Sequence, residues 1–151
     1  MAKIKDFKIK QISAKTTYPV RHPVLRKGRP LETCVFKGDD LKTTIHIGVF
    51  HKNQIIGVAS FMKSRNSLFK ETLQYQLRGM AILEDFQGKG LGKLILAYGE
   101  KLLKEKDIEL IWCNARINAV NFYKNNGYAT LGDPFHIPEI GKHFTMYKSI
   151  S

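Results

Sequence analysis

The segment Gln87-Gly88-Lys89-Gly90-Leu91-Gly92-Lys93 offers the most chemistry in the chain. Glycines at alternate positions remove Cβ atoms, so a phosphate can approach the main chain closely. A helix starting here adds unpaired N–H groups and a partial positive charge, and Lys89 and Lys93 add full charges. Together they make a site for a diphosphate. Two nucleotide-binding readings fail on spacing. A Walker loop needs GxxxxGK followed by Ser or Thr, whereas Leu94 follows Lys93 and position 87 is Gln. A Rossmann fingerprint needs GxGxxG, whereas the spacing here is GxGxG. It also needs an acid at the end of the next strand, and Glu109 lies at that strand's beginning.

The elements around this loop follow from hydrophobic period. Lys8-Ile9-Lys10, with Phe7 and Ile12, reads as a first strand. Pro19, Pro23, Gly28 and Pro30 punctuate the next stretch, so any helix there is expected to be short. Thr43–Phe50 and Gln54–Met62 are β-rich runs joined by the short His51-Lys52-Asn53 turn, a hairpin pattern. Leu73–Leu83 alternates and then becomes continuously apolar, as a strand does on entering a core. Leu91, Leu94, Ile95, Tyr98, Leu102 and Leu103 form one helical face, with Glu100 and Lys104 spaced as a supporting pair. Ile108–Asn114 is a buried strand and Asn118–Asn126 a short helix stopped by Asn126-Gly127. Tyr128–Leu131 and Phe144–Lys148 are the last strands. The order predicts a single mixed α/β domain over residues 1–151.

Gln87-x-x-Gly90-x-Gly92 after a strand matches the Q/R-x-x-G-x-G/A motif of the GNAT acetyltransferase superfamily, and Leu77–Leu83 resembles that family's fourth strand. Asn118-Ala119-x-x-Phe122-Tyr123-Lys124-x-x-Gly127-Tyr128 resembles its second motif. Both occur in the family's order over residues 73–131. The resemblance implies a mixed, mostly antiparallel sheet flanked by helices, with fourth and fifth strands splayed apart. It implies acetyl-coenzyme A as donor and an amine as acceptor. The backbone of Met80, Ala81 and Ile82 would pair with the pantetheine amides. The loop residues Gly88, Lys89, Gly90, Leu91 and Gly92, with Lys93, would hold the diphosphate. Gln87 would add a side-chain contact, Asn118 would bond the pantetheine, and Asn121 would face the cofactor. A helix N-cap is the plainer role for Asn118.

Direct acetyl transfer needs an oxyanion donor, a proton for the leaving thiolate and a base for the amine. A backbone N–H near Ile82 would serve the first. Tyr123 occupies the family's place for the leaving-group acid, and a phenol, with a pKa of about 10 against about 8.5 for a thiol, is protonated when a thiolate needs a proton. The base stays open among Glu71, His46, Glu139 and His143. Arg78 points to the same side of its strand as Met80, which suits either a carboxylate of the acceptor or a surface ion pair. Cys113, within Leu110-Ile111-Trp112-Cys113, reads as a small core residue. Glu84 reads as a surface acid.

Composition narrows the function classes. The 151 residues are 43% hydrophobic, enough for a core. No run of 18 apolar residues suggests a membrane span, and the start lacks the apolar stretch of a secretory signal. Two cysteines make neither a disulfide framework nor a four-ligand metal site. A cytoplasmic protein is expected. The net charge is +12, and residues 1–30 carry nine basic residues against the single acid Asp6. That bias suits either a solvated face or a polyanionic partner. A nucleic-acid- or ribosome-associated module is therefore the competing class, although no basic helix face or RNP-type strand supports it. A non-catalytic CoA-binding domain of the same fold is another. A homodimer is compatible with the fold.

Overall fold

The computed structural model describes residues 6–151. Lys3 and Lys5, part of the basic N-terminal stretch, lie outside the described residues. Strand β1 (Phe7–Ile12) is followed by helix α1 (Ala14–Leu25), and strands β2 (Ile45–His51), β3 (Gln54–Lys63) and β4 (Gln74–Ile82) come next. Helix α2 (Leu91–Glu105) leads to β5 (Leu110–Arg116), then α3 (Val120–Asn125), β6 (Ala129–Ile137) and β7 (Gly141–Ser149). The strands form one sheet in the order β1-β2-β3-β4-β5-β7-β6. Only β4 and β5 run parallel, because α2 carries the chain back between them. The mixed, mostly antiparallel sheet is the one expected.

Local chemistry explains most of the elements. Lys52 and Asn53 take φ of 49° and 67°, the left-handed pair that a two-residue hairpin requires. Helix α2 buries Leu91, Ile95, Leu96, Gly99 and Leu103. They pack on Ile47, Ile56, Phe61 and Leu77 of the sheet. A Cβ at Gly99 would fall inside the Phe61 ring, so this glycine sets how closely α2 approaches β3. On another part of the sheet Val20 of α1 packs against Val58 and Ala81.

Four expectations need correction. Helix α1 is 12 residues long despite Pro19 and Pro23 inside it. Each proline forfeits one helical hydrogen bond, but Thr17, Val20 and Arg21 are buried on the sheet side, and tertiary contacts outweigh the lost rungs. Glu100 is taken by other partners than Lys104: Lys148 donates to Oε1 at 2.8 Å and the Tyr128 hydroxyl to Oε2 at 3.2 Å. An exposed i,i+4 pair is worth only a few tenths of a kcal/mol, so partly buried partners prevail. The stretch 118–126 divides into a 3-10 turn, Ile117–Ala119, and the short α3. The final hairpin is also longer than its apolar runs suggested. Gly132-Asp133-Pro134 is absorbed as a register shift between Leu131 and Phe135.

Candidate functional site

β4 and β5 pair only from Gln74–Gln76 to Leu110–Trp112. Beyond these three rungs the strands part, and β5 continues on β7 alone. Across from the opening, β4 carries one residue more than β3 between the Ser60–Arg78 and Val58–Ala81 pairs. The extra residue sits at Gly79, with φ of +64°. A Cβ there would lie 2.9 Å from the Phe36 ring, so both conformation and space demand glycine. The bulge re-aims Met80, Ala81 and Ile82 at the gap.

The gap opens into a cleft of about 910 Å³ that runs to the glycine loop. Gly90, with φ of +81°, caps α2, and Gly88 has φ of +76°. A Cβ at either would meet nothing within 4 Å, so the space in front of this helix start is open. Gly92 differs: a Cβ there would press on Phe122 at 2.8 Å, so it lets α3 dock against α2. Met80, Ala81, Ile82, Gln87, Gly88, Gly90, Leu91, Gly92, Lys93, Asn118 and Tyr123 all line the cleft. Lys89 and Asn121 do not. Asn121 is exposed on α3, and Lys89 sits between two left-handed glycines. The Gln87 amide donates to the Ile82 carbonyl at 2.8 Å and ties the loop to the end of β4. Asn118 is not an N-cap: it lies in the 3-10 turn, and α3 has no side-chain cap.

Tyr123 is 7% exposed. Its ring meets Phe122 at 5.1 Å and Tyr128 at 5.6 Å. Burial, with Cys113 beside it, raises its pKa above the ordinary phenol value, so the hydroxyl holds its proton. Cys113 is buried and its thiol is pushed up to about 12, as befits a core residue.

The four base candidates separate. His46 is buried, with Nδ1 2.6 Å from Ser60 Oγ and Nε2 2.9 Å from the Asp39 carbonyl oxygen. Both ring nitrogens are engaged, and the ring is structural. Glu139 is 76% exposed and paired with Arg29 at 2.7 Å. Glu71 does not line the cleft. His143 lines it, is 4% exposed, and stacks on Phe135.

The cleft also meets a cluster of arginines. The Phe36 ring faces Arg21 at 3.9 Å, Arg78 at 4.8 Å and Arg26 at 5.2 Å from its centroid. Arg21 is fully buried. It donates to both Asp39 oxygens at 2.7 and 3.0 Å, to the Cys34 carbonyl at 2.8 Å and to Ser60 Oγ at 2.9 Å. The N-terminal charge bias is thus divided. Lys8, Lys10, Lys15 and Lys27 are exposed, whereas Arg21 is neutralised inside and Arg26 lines the cleft. Phe36, Arg26 and Arg116 were missed in the sequence. Arg26 and Phe36 lie in a stretch without periodicity, and Arg116 follows an apolar strand that gives no hint of facing a cleft.

A sheet opened between two parallel strands, with a glycine-started helix at the mouth, is the frame that the resemblance to acetyltransferases implies. Comparison with known proteins agrees. The GNAT acetyltransferase domain model matches residues 38–149, and the chain belongs to that family. It is 38% identical over 142 residues to the uncharacterized N-acetyltransferase YitI of Bacillus subtilis, covering 94% of this chain and 95% of that one. The ribosomal-protein-S18-alanine N-acetyltransferase of Escherichia coli shares the fold, with a TM-score of 0.77 at 15% identity over 96% of this chain and 94% of that one. So does an aminoglycoside 6'-N-acetyltransferase solved with coenzyme A, with a TM-score of 0.77 at 10% identity over 95% and 97%.

Proposed function

We propose that the protein is an acetyl-CoA-dependent N-acetyltransferase that transfers the acetyl group directly to an amine. The observation that carries this reading is the parting of β4 from β5 after three rungs, with the glycine loop and Tyr123 on the same cleft. The residues present fit the donor. The inner edge of β4 past Gln76 is not paired with β5, so Met80, Ala81 and Ile82 can bond pantetheine amides as a neighbouring strand would. The open space before Gly88 and Gly90 suits a diphosphate on the helix start, with Lys93 beside it. Asn118 faces the same cleft. Acetyl-CoA supplies a thioester, whose carbonyl carbon accepts the amine and whose sulfur leaves.

The chain's own groups divide the remaining work. A backbone N–H of the bulged β4 near Ile82 donates to the thioester oxygen as negative charge develops there. Tyr123, held protonated by burial, gives its proton to the departing sulfur. His143 takes the proton from the amine. Its Nδ1 is spent on a carbonyl oxygen, so Nε2 carries the lone pair.

Calorimetric titration with acetyl-CoA, followed by assay of CoA release over a panel of amines, tests the reading. We expect binding and amine-dependent release. Gly90→Ala adds a methyl group into the ligand's space without touching protein, and should weaken acetyl-CoA at least tenfold. Its strained φ should cost only about 1 kcal/mol of stability. A protein that does not bind acetyl-CoA, or a variant that binds it as tightly as the parent, rejects the placement. Binding without release for any amine favours a non-catalytic CoA-binding domain.

A further inference from the structure

We propose that the acceptor amine carries an anionic group, a carboxylate or a phosphate monoester, received by Arg26, Arg78 and Arg116. This inference rests on the acetyltransferase reading and names the substrate class of that site. All three arginines line the cleft, and no Asp or Glu among the described residues does. Among the described residues, the Arg78 and Arg116 side chains make neither a hydrogen bond nor an ion pair. The Arg26 side chain donates to the carbonyls of Thr33, at 3.3 Å, and Leu25, at 3.1 Å. The nearby carboxylates are spoken for: Asp39 by Arg21 and Glu139 by Arg29.

Such crowding works against the cations. Desolvation and then Arg116, Arg29 and Arg78 lower the pKa of Arg26, and desolvation and then Arg21 lower that of Arg78. Like charges in a partly buried place cost stability unless an anion joins them. Phe36 lies against Arg78 and Arg26, and the Arg78 fork together with Nη2 of Arg26 is left for a carboxylate or a phosphate.

Two relationships assign the anion to the acceptor rather than to the cofactor. Arg116 is the register partner of His143 across β5 and β7, so the cations flank the base. Arg78 precedes the Gly79 bulge, whereas the glycine loop begins beyond the end of β4, on the order of 15 Å along the strand. The bound molecule is thus short: its anionic group sits among the arginines while its amine reaches His143.

The test uses the full chain saturated with CoA, so that the diphosphate loop is filled. Matched probes are titrated by calorimetry: phosphoethanolamine against ethanolamine, glycine against glycinamide, and 4-aminobutyrate against its amide. We expect the anionic member of at least one pair to bind tenfold or more tightly than its neutral partner. In Arg78→Gln and in Arg116→Gln that preference should shrink about tenfold, with acetyl-CoA affinity unchanged. Arg78→Lys keeps the charge but loses the fork, and should fall between. Arg116→Gln should melt at or above the parent temperature, because it relieves repulsion and breaks no hydrogen bond or ion pair. Equal behaviour within every pair, bound or unbound, overturns the proposal. So does a preference that survives both substitutions, or a matching loss of acetyl-CoA affinity, which would give the cluster to the cofactor's phosphates. Failure of the parent to bind CoA at all would instead sink the acetyltransferase reading.

Discussion

His143 lies with its Nδ1 2.8 Å from the carbonyl oxygen of Gly141, two residues back on the same strand. A carbonyl only accepts, so Nδ1 carries the hydrogen and the neutral ring keeps its lone pair on Nε2. His143→Gln should lower kcat by about 10²–10⁴-fold while acetyl-CoA affinity changes little. Parent-like turnover in His143→Gln would assign the proton to water.

Tyr123→Phe keeps the ring and its packing on Phe122 and Tyr128 but removes the hydroxyl. Loss of the acid should lower kcat and kcat/KM together by about 10²–10⁴-fold. The loss should shrink for an acyl donor whose thiol is more acidic, since a better leaving group needs less help. Turnover at the parent rate would make Tyr123 a packing residue.

Alkaline pH should unfold the protein sooner than phenol chemistry alone suggests. Burial raises the folded pKa of Tyr123 and of Tyr128, and the Glu100 carboxylate raises Tyr128 further. The unfolded chain releases these protons near pH 10, while the folded one holds them. The stabilisation of the neutral phenols is therefore complete below about pH 10 and lost as pH climbs above it. Melting temperatures from pH 8 to pH 11 should fall steeply past pH 10, and less steeply in Tyr123→Phe. Identical slopes would contradict the burial argument.

Gly99→Ala should destabilise the fold by about 1–3 kcal/mol, because its methyl group enters the Phe61 ring. Phe61→Leu alone should also destabilise, by loss of buried area. The double variant should be more stable than the sum of the single effects, since the smaller side chain makes room for the methyl group. Additive urea midpoints would show that α2 shifts freely instead.

Legibility in the sequence followed the range of the forces involved. The hairpin turn at Lys52-Asn53, the α2 face and the glycine loop are decided by neighbours in the chain, and their period or spacing exposes them. Helix α1 is decided by Arg21 reaching Asp39, 18 residues away, which no window around Pro19 and Pro23 contains. The choice among base candidates also needed three dimensions. His46 sits in a strand pattern and His143 just before one, and it is the cleft and the partners of their ring nitrogens that tell them apart. The arginines on Phe36 come from segments more than 40 residues apart, so their convergence had no local signature.

The three rungs that join β4 to β5 make the sheet two half-sheets sharing a narrow seam. Amide hydrogens just past the seam have no cross-strand shield on that side, so their exchange with solvent measures whether the wedge is filled. In deuterium exchange, residues 77–82 of the free protein should label faster than residues 74–76, although both belong to one strand. A donor molecule acting as the missing strand should slow 77–82 and leave the hairpin of β2 and β3 untouched. Because a ligand that binds only the folded state also adds to its stability, the resistance of the chain to proteases would then follow the supply of that donor.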